Sequence, residues 1–200
     1  MSTRWRIAAM GASAVAVAAF LALMAWGVLN NESVTSRSGI LRVGKPAPDF
    51  TLPLLDGGEL TLSQYQGRPV VVNFWASWCP PCRQEAVALE AAWRAHSASG
   101  VQFIGVDLQD RESDARAYIS EFDVTYPNGT DIGGKISVDY GVIGLPVTFF
   151  VSREGIVERR WVGAIGREKL ERWIGELEAG LEASDDAEGE NLDDFFEFDG

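Results

Sequence analysis

The chain has 200 residues, 46% apolar and 10% aromatic, with 17 basic against 29 acidic side chains and a net charge of −12. That much apolar side chain supports one packed domain and excludes a chain disordered throughout. The acidic balance argues against nucleic-acid binding, which needs a basic face, although the charge is uneven: Glu182–Gly200 holds nine acidic residues and no Lys or Arg.

Ile7 to Leu29 is a run of 23 residues without a charge. As a helix at ~1.5 Å per residue it would cross a bilayer core of about 30 Å. Arg4 and Arg6 precede it, and Asn30, Asn31 and Glu32 follow. The positive-inside rule then puts the N-terminus in the cytoplasm and the rest of the chain outside. Trp5 and Trp26 sit near its ends, as interfacial anchors do. A cleaved signal peptide is the rival, since Ala16-Val17-Ala18 is a passable cleavage site. The anchor is preferred because cleavage there would leave Ala19–Leu29 as an apolar mature terminus. Residues 1–30 are thus expected to be cytoplasmic N-terminus and signal anchor, and 31–42, polar and Ser-rich, a tether. A globular domain over 43–180 and an acidic disordered tail over 181–200 complete the division. A docking role for Phe195-Phe196 in that tail is conceivable.

Within the domain, Phe50–Leu54 and Glu59–Leu62 read as short strands about an Asp56-Gly57-Gly58 turn. Val70–Trp75, interrupted only by Asn73, reads as a buried strand. A helix is predicted from about Pro81 to Ala98, with Ala86, Leu89 and Trp93 inward. Val101–Leu108 is a second buried strand. Asp110 is placed to cap a helix ending near Phe122, and Tyr126–Gly129 reads as a turn. Asp131 is placed to cap a short helix reaching Tyr140. Val147–Val151 and Ile156–Val162 form a hairpin, and Leu170, Trp173, Ile174 and Leu177 make the stripe of a last helix. The order implies an α/β domain with a mixed sheet between helix layers.

The two cysteines, Cys79 and Cys82, lie three positions apart. A disulfide-stapled secreted fold needs more of them at wider spacings, and a structural zinc site needs about four ligands where His96 is the single histidine. Arg83 after Cys82 excludes a C-x-x-C-H haem attachment. A redox pair remains, with no metal and no cofactor beyond its own disulfide. At a strand–helix junction the Cys79 sulfur meets unpaired N–H groups and the positive end of the helix dipole, which favour thiolate. Pro80 and Pro81 occupy first-turn positions where a missing N–H matters little. Cys82, nearly a turn further in, should be more buried and more weakly ionised. Cys79 is therefore the expected attacker of a substrate disulfide and Cys82 the resolving thiol. An inert disulfide tying off a turn is the plain alternative.

Trp75-Ala76-Ser77-Trp78-Cys79-Pro80-Pro81-Cys82 resembles the active site of the thioredoxin superfamily. The opening Val43–Phe50 and the segment Gly144-Leu145-Pro146-Val147-Thr148-Phe149 are similar to its membrane-anchored TlpA/ResA/CcmG branch. The resemblance implies a thioredoxin-like fold with an N-terminal β-hairpin extension and a central helix/strand insert over Asp110–Asp131. It implies that Pro146 is a cis-proline opposite Cys79, leaving the Leu145 backbone free for a bound polypeptide. Trp78, Pro80 and Pro81 join these as substrate-binding residues. Glu85 matches a glutamate that assists thiol protonation, although an ordinary acidic residue in a first helical turn reads the same. Asn73 stands where many thioredoxins carry a buried aspartate, which directs proton transfer from Cys82 through Glu85 or water. Arg83 either supports the Cys79 thiolate or is simply solvated. Trp93, Trp161 and Trp173 read as core, and His96 as a surface or helix-end residue without a catalytic part.

The branch implies an extracytoplasmic reductase of protein disulfides, fed by a membrane thiol donor, with apocytochrome c as a client; a monomer is expected. A peroxiredoxin-like thiol peroxidase is the alternative, sharing the Val43–Phe50 opening but normally carrying threonine where Ala76 stands. A thioredoxin-fold assembly factor that binds without turnover is another.

Overall fold

The computed structural model describes residues 43–180 and Phe20. The expected anchor, tether and acidic tail otherwise lie outside the described residues. Among those described, no helix is long and apolar enough to cross a membrane.

A central sheet has the order β5-β4-β3-β6-β7, built from β3 (Val70–Trp75), β4 (Gln102–Asp107), β5 (Asn128–Thr130), β6 (Val147–Val151) and β7 (Val157–Val162). Strands β3, β4 and β5 run parallel, while β6 and β7 are antiparallel. The parallel β3–β4 pair requires a crossover, supplied by helix α1 (Pro80–His96). Helices α2 (Glu112–Glu121), α3 (Lys135–Asp139) and α4 (Arg167–Ala179) follow. A separate hairpin, β1 (Thr51–Pro53) with β2 (Glu59–Thr61), precedes the sheet. This is a thioredoxin-like α/β fold.

Both faces of β3 are covered, so the whole strand is buried. The two-residue period of a strand sends Val71 and Trp75 into a core shared with α1, α2 and α4. Val72 and Phe74 enter the opposite core, closed by Leu52 and Leu60 of the hairpin and by Ile136 and Tyr140 around α3. The same alternation points Asn73 toward α1, and the register sets it directly across from Thr148 of β6. The α4 stripe of Leu170, Trp173, Ile174 and Leu177 is buried as its spacing predicts.

Two local expectations are corrected. The predicted Tyr126–Gly129 turn contains the start of β5, which pairs with β4 through Gly105↔Asn128 and Asp107↔Thr130. The hairpin seats on it through a Leu54↔Gly129 bridge, so a Cβ on Gly129 would lie 2.2 Å from the Pro53 carbonyl oxygen. Asp110 does not cap α2, whose N-cap position is Arg111, because its carboxylate is bound by Ser77. The reading of Asp131 holds: its two oxygens accept the amides of Ile136 and Ser137 at 3.0 and 2.8 Å.

His96 is the last residue of α1 and carries more than a surface role. Its ring nitrogens lie 2.8 Å from Glu171 and 3.1 Å from Glu178, joining α1 to α4.

Candidate active site

The C-terminal ends of β3 and β4 and the N-terminal end of β6 lie along one edge of the sheet, where open α/β sheets place their ligands. The turn after β3 carries Ser77 and Trp78 to Cys79, the N-cap of α1. Cys79 and Cys82 form a disulfide, with Cα atoms 5.3 Å apart. The Cys79 sulfur accepts the Cys82 amide at 3.2 Å, which puts a helix donor on the atom that would bear the thiolate charge. Pro80 and Pro81 fill the first helical positions, as expected.

The two sulfurs are not equivalent. Cys79 lines a cavity of about 400 Å³ together with Trp78, Pro80, Pro81, Leu108, Gln109, Ile143 and Leu145. Cys82 does not line it and is wholly buried. Behind it, the Tyr118 hydroxyl donates to the Cys82 carbonyl at 2.9 Å, and Tyr118 stacks on Trp75 with ring centroids 4.2 Å apart. Trp75 in turn donates to Asn128 at 2.9 Å. Trp75 is therefore core, while Trp78 is 59% exposed on the rim.

The Leu145–Pro146 peptide is cis. Pro146 is buried, and the Leu145 N–H and C=O make no backbone hydrogen bond among the described residues. A free peptide unit beside the cavity suits pairing with an extended polypeptide.

Glu85, one turn beyond Cys82 on α1, is 1% exposed. Its Oε1 accepts from Asn73 Nδ2 at 2.8 Å and its Oε2 from the Ile165 amide at 2.8 Å. Asn73 Nδ2 also lies 3.0 Å from Thr148 Oγ1. Burial pushes the Glu85 carboxyl up to about 7, against the opposing pull of the Ile165 and Asn73 hydrogen bonds. A carboxyl poised there can hold or release a proton at neutral pH. Its burial sets it apart from an ordinary exposed acidic residue of a first helical turn.

Arg83 is engaged by other groups. It pairs with Glu121, sits 5.0 Å over the Phe122 ring and reaches the Ser77 carbonyl at 3.4 Å. Missed by the sequence reading are Ser77, Asp107 and Asp110. Asp110 accepts the Ser77 amide at 2.6 Å and hydroxyl at 2.8 Å, and Asp107 is wholly buried beside it. Nothing in the run Asp107-Leu108-Gln109-Asp110 distinguishes it from a strand end followed by a helix cap.

A thioredoxin-like sheet, a C-x-x-C pair at a helix N-terminus and a cis-proline beside it define the class of thiol–disulfide oxidoreductases. The chain belongs to the AhpC/TSA family, which matches residues 43–160. It is 30% identical over 139 residues to a thiol-disulfide oxidoreductase ResA of Bacillus cereus, covering 70% of this chain and 80% of that one. Among solved structures it resembles a putative thiol:disulfide interchange protein DsbE from Chlorobium tepidum, with TM-score 0.65 and 34% identity over 69% of this chain and 99% of the other. It also resembles a secreted Mycobacterium tuberculosis disulfide oxidoreductase homologous to E. coli DsbE, with TM-score 0.60 and 26% identity over 64% and 96% of the two chains. The membership fits the TlpA/ResA/CcmG-like class.

Proposed function

We propose that this oxidoreductase works as a reductase of protein disulfides outside the cytoplasm, with the haem-binding cysteines of apocytochrome c as its principal clients. Its domain is held at the membrane by the apolar run Ile7–Leu29 and recharged by a thiol donor in that membrane. The observation that carries the reading is the asymmetry of the pair, with Cys79 on the cavity and Cys82 behind it, one helical turn from Glu85.

The reduced enzyme holds two thiols. The Cys79 thiolate attacks one sulfur of the client disulfide, breaking that bond, forming a mixed disulfide and expelling the other client sulfur as thiolate. Cys82 passes its proton to ionised Glu85 and attacks the Cys79 sulfur. The Cys79–Cys82 disulfide forms, the second client thiolate leaves, and two electrons have moved to the client. Trp78, Pro80, Pro81, Leu145 and Pro146 hold the client chain across the cavity, Leu145 through its unpaired peptide unit. Names of relatives that refer to disulfide interchange, and one described as secreted, support this reading.

The test is capture of the intermediate. A Cys82→Ser variant mixed with an oxidised C-x-x-C-H peptide should accumulate a peptide adduct on Cys79, and Cys79→Ser should form none. Equal trapping by the two variants would refute the assigned roles.

A further inference from the structure

Two residues other than glycine hold a positive φ among the described residues, Gln109 at 58° and Asp123 at 50°. A side chain crowds the backbone in that conformation, so such a residue calls for a reason. Asp123 has one. It follows Phe122, the C-cap of α2, in the left-handed position that ends many helices, and Arg94 binds both its carbonyl and its carboxylate. Gln109 ends no helix. It stands between β4 and α2, where glycine would adopt the same turn freely. Its two neighbours are fixed: the Leu108 amide donates to the Trp75 carbonyl at 3.0 Å, and the Asp110 carboxylate accepts the Ser77 amide and hydroxyl at 2.6 and 2.8 Å. Both anchors lie on the path from β3 to Cys79, so Gln109 is held on the cavity of the attacking sulfur.

Among the described residues that line this cavity, none carries a charge. Ser137 is spent, its hydroxyl donating to the Gly134 carbonyl at 2.9 Å. Trp78 offers a single indole N–H. Gln109 is exposed, and its side-chain amide has no hydrogen-bond partner among the described residues. It alone of these side chains presents amide donors and a carbonyl acceptor together.

The strand order places it relative to the client. β4 and β6 flank β3 on opposite sides, so Gln109, just past β4, and Leu145, just before β6, stand on opposite walls with Cys79 between them. An extended chain carries N–H and C=O groups on both edges, successive residues pointing to opposite ones. A client residue that pairs with Leu145 therefore leaves its neighbours' groups facing the other wall. Buried there without a partner, they would weaken binding. We propose that Gln109 is a specificity-determining residue of this site, its side-chain amide hydrogen-bonding the client main chain on the edge opposite Leu145. It selects an extended polypeptide disulfide over a small one. The inference rests on the client being a polypeptide laid across the cavity at Cys79.

The experiment uses the full-length chain, reduced, in detergent. Oxidation of the Cys79–Cys82 pair is followed by Trp fluorescence against rising concentrations of an oxidised C-x-x-C-H peptide and, separately, of hydroxyethyl disulfide, which has no peptide group. The parent should react faster with the peptide. Loss of one neutral hydrogen bond predicts that the ratio of the peptide rate to the hydroxyethyl disulfide rate falls about fivefold in both Gln109→Gly and Gln109→Leu. The loss should reside in the half-saturating peptide concentration, as for an interaction that only binds. Gln109→Gly keeps the left-handed turn, and with it the fold, while removing the amide. A ratio retained in either variant, or a loss confined to the limiting rate, overturns the proposal and leaves the polypeptide reading standing. A parent with no preference for the peptide refutes both.

Discussion

At Glu85 the chain places a carboxylate where burial opposes its charge and two donors, Asn73 and Ile165, are aimed at it. Its affinity for a proton, raised to about 7, sits where a thiol can exchange protons with it at neutral pH. Replacing it by Gln gives one acceptor oxygen where two donors converge, so one donor is left unpaired at a cost of about 1–3 kcal/mol. The kinetic effect is the sharper one. Glu85→Gln should slow resolution of a trapped mixed disulfide by about 10²-fold and erase the inflection near pH 7 from its pH–rate profile. Unchanged rates with the inflection intact would remove Glu85 from the proton path. This residue was legible in the sequence only through resemblance. Its spacing from Cys82 was visible, but its burial depends on β6 and on the chain before α4, which no local pattern reports. Asn73 was noticed as a polar break in an apolar strand, whereas its partner Thr148 emerged from the register of β3 against β6.

Among elements, long periodic segments were read correctly and short ones less so. β3, β6 and α4 have buried positions that follow from their own spacing. β5 has three residues, Asn128, Gly129 and Thr130, and the composition of a turn. It is a strand because β4 and the hairpin lie on either side of it and supply partners. Gly129 is where that arrangement is tightest. A Cβ there would collide with the backbone of Pro53, so Gly129→Ala should destabilise the fold by about 1–3 kcal/mol. Urea unfolding of the variant would measure this. A midpoint equal to the parent would mean that the hairpin does not pack against β5 as described. Asp110 shows the same limit: a helix-capping residue by sequence, it is drawn to Ser77 by a turn 33 residues away in the chain.

For the whole molecule, the resolved shifts of three ionisable groups give its stability one pH dependence. Glu85 and Asp107 bind protons more tightly in the folded chain than in the unfolded one, chiefly because burial disfavours their charge. For His96, burial opposes the charge, but the carboxylates of Glu171 and Glu178 outweigh it and raise its pKa above the ordinary value. In each case the folded state holds the proton longer, so the stability gained is complete at low pH and is lost as pH rises through the folded pKa. Glu85 alone accounts for about 3 kcal/mol between its ordinary value and pH 7. Urea midpoints should therefore fall from pH 5 to pH 8.5. A midpoint that rises over that range would contradict the protonation states assigned to all three.

The thiol–disulfide chemistry follows from the fold and the cysteine pair, but its direction depends on how far the Cys79 thiolate is stabilised relative to the disulfide. Its sulfur receives one helix amide in the oxidised form, the prolines beside it offer no N–H, and Arg83 is occupied by Glu121. That is modest support for a thiolate, as a reductant requires. The most direct measurement is the reduction potential of the Cys79–Cys82 couple at pH 7, by equilibration against glutathione and dithiothreitol buffers with Trp fluorescence as the readout. The account predicts a low value, near the roughly −270 mV of thioredoxin. A value near −120 mV, that of a strong disulfide donor, would contradict the reductase reading and make the protein an oxidant of its clients.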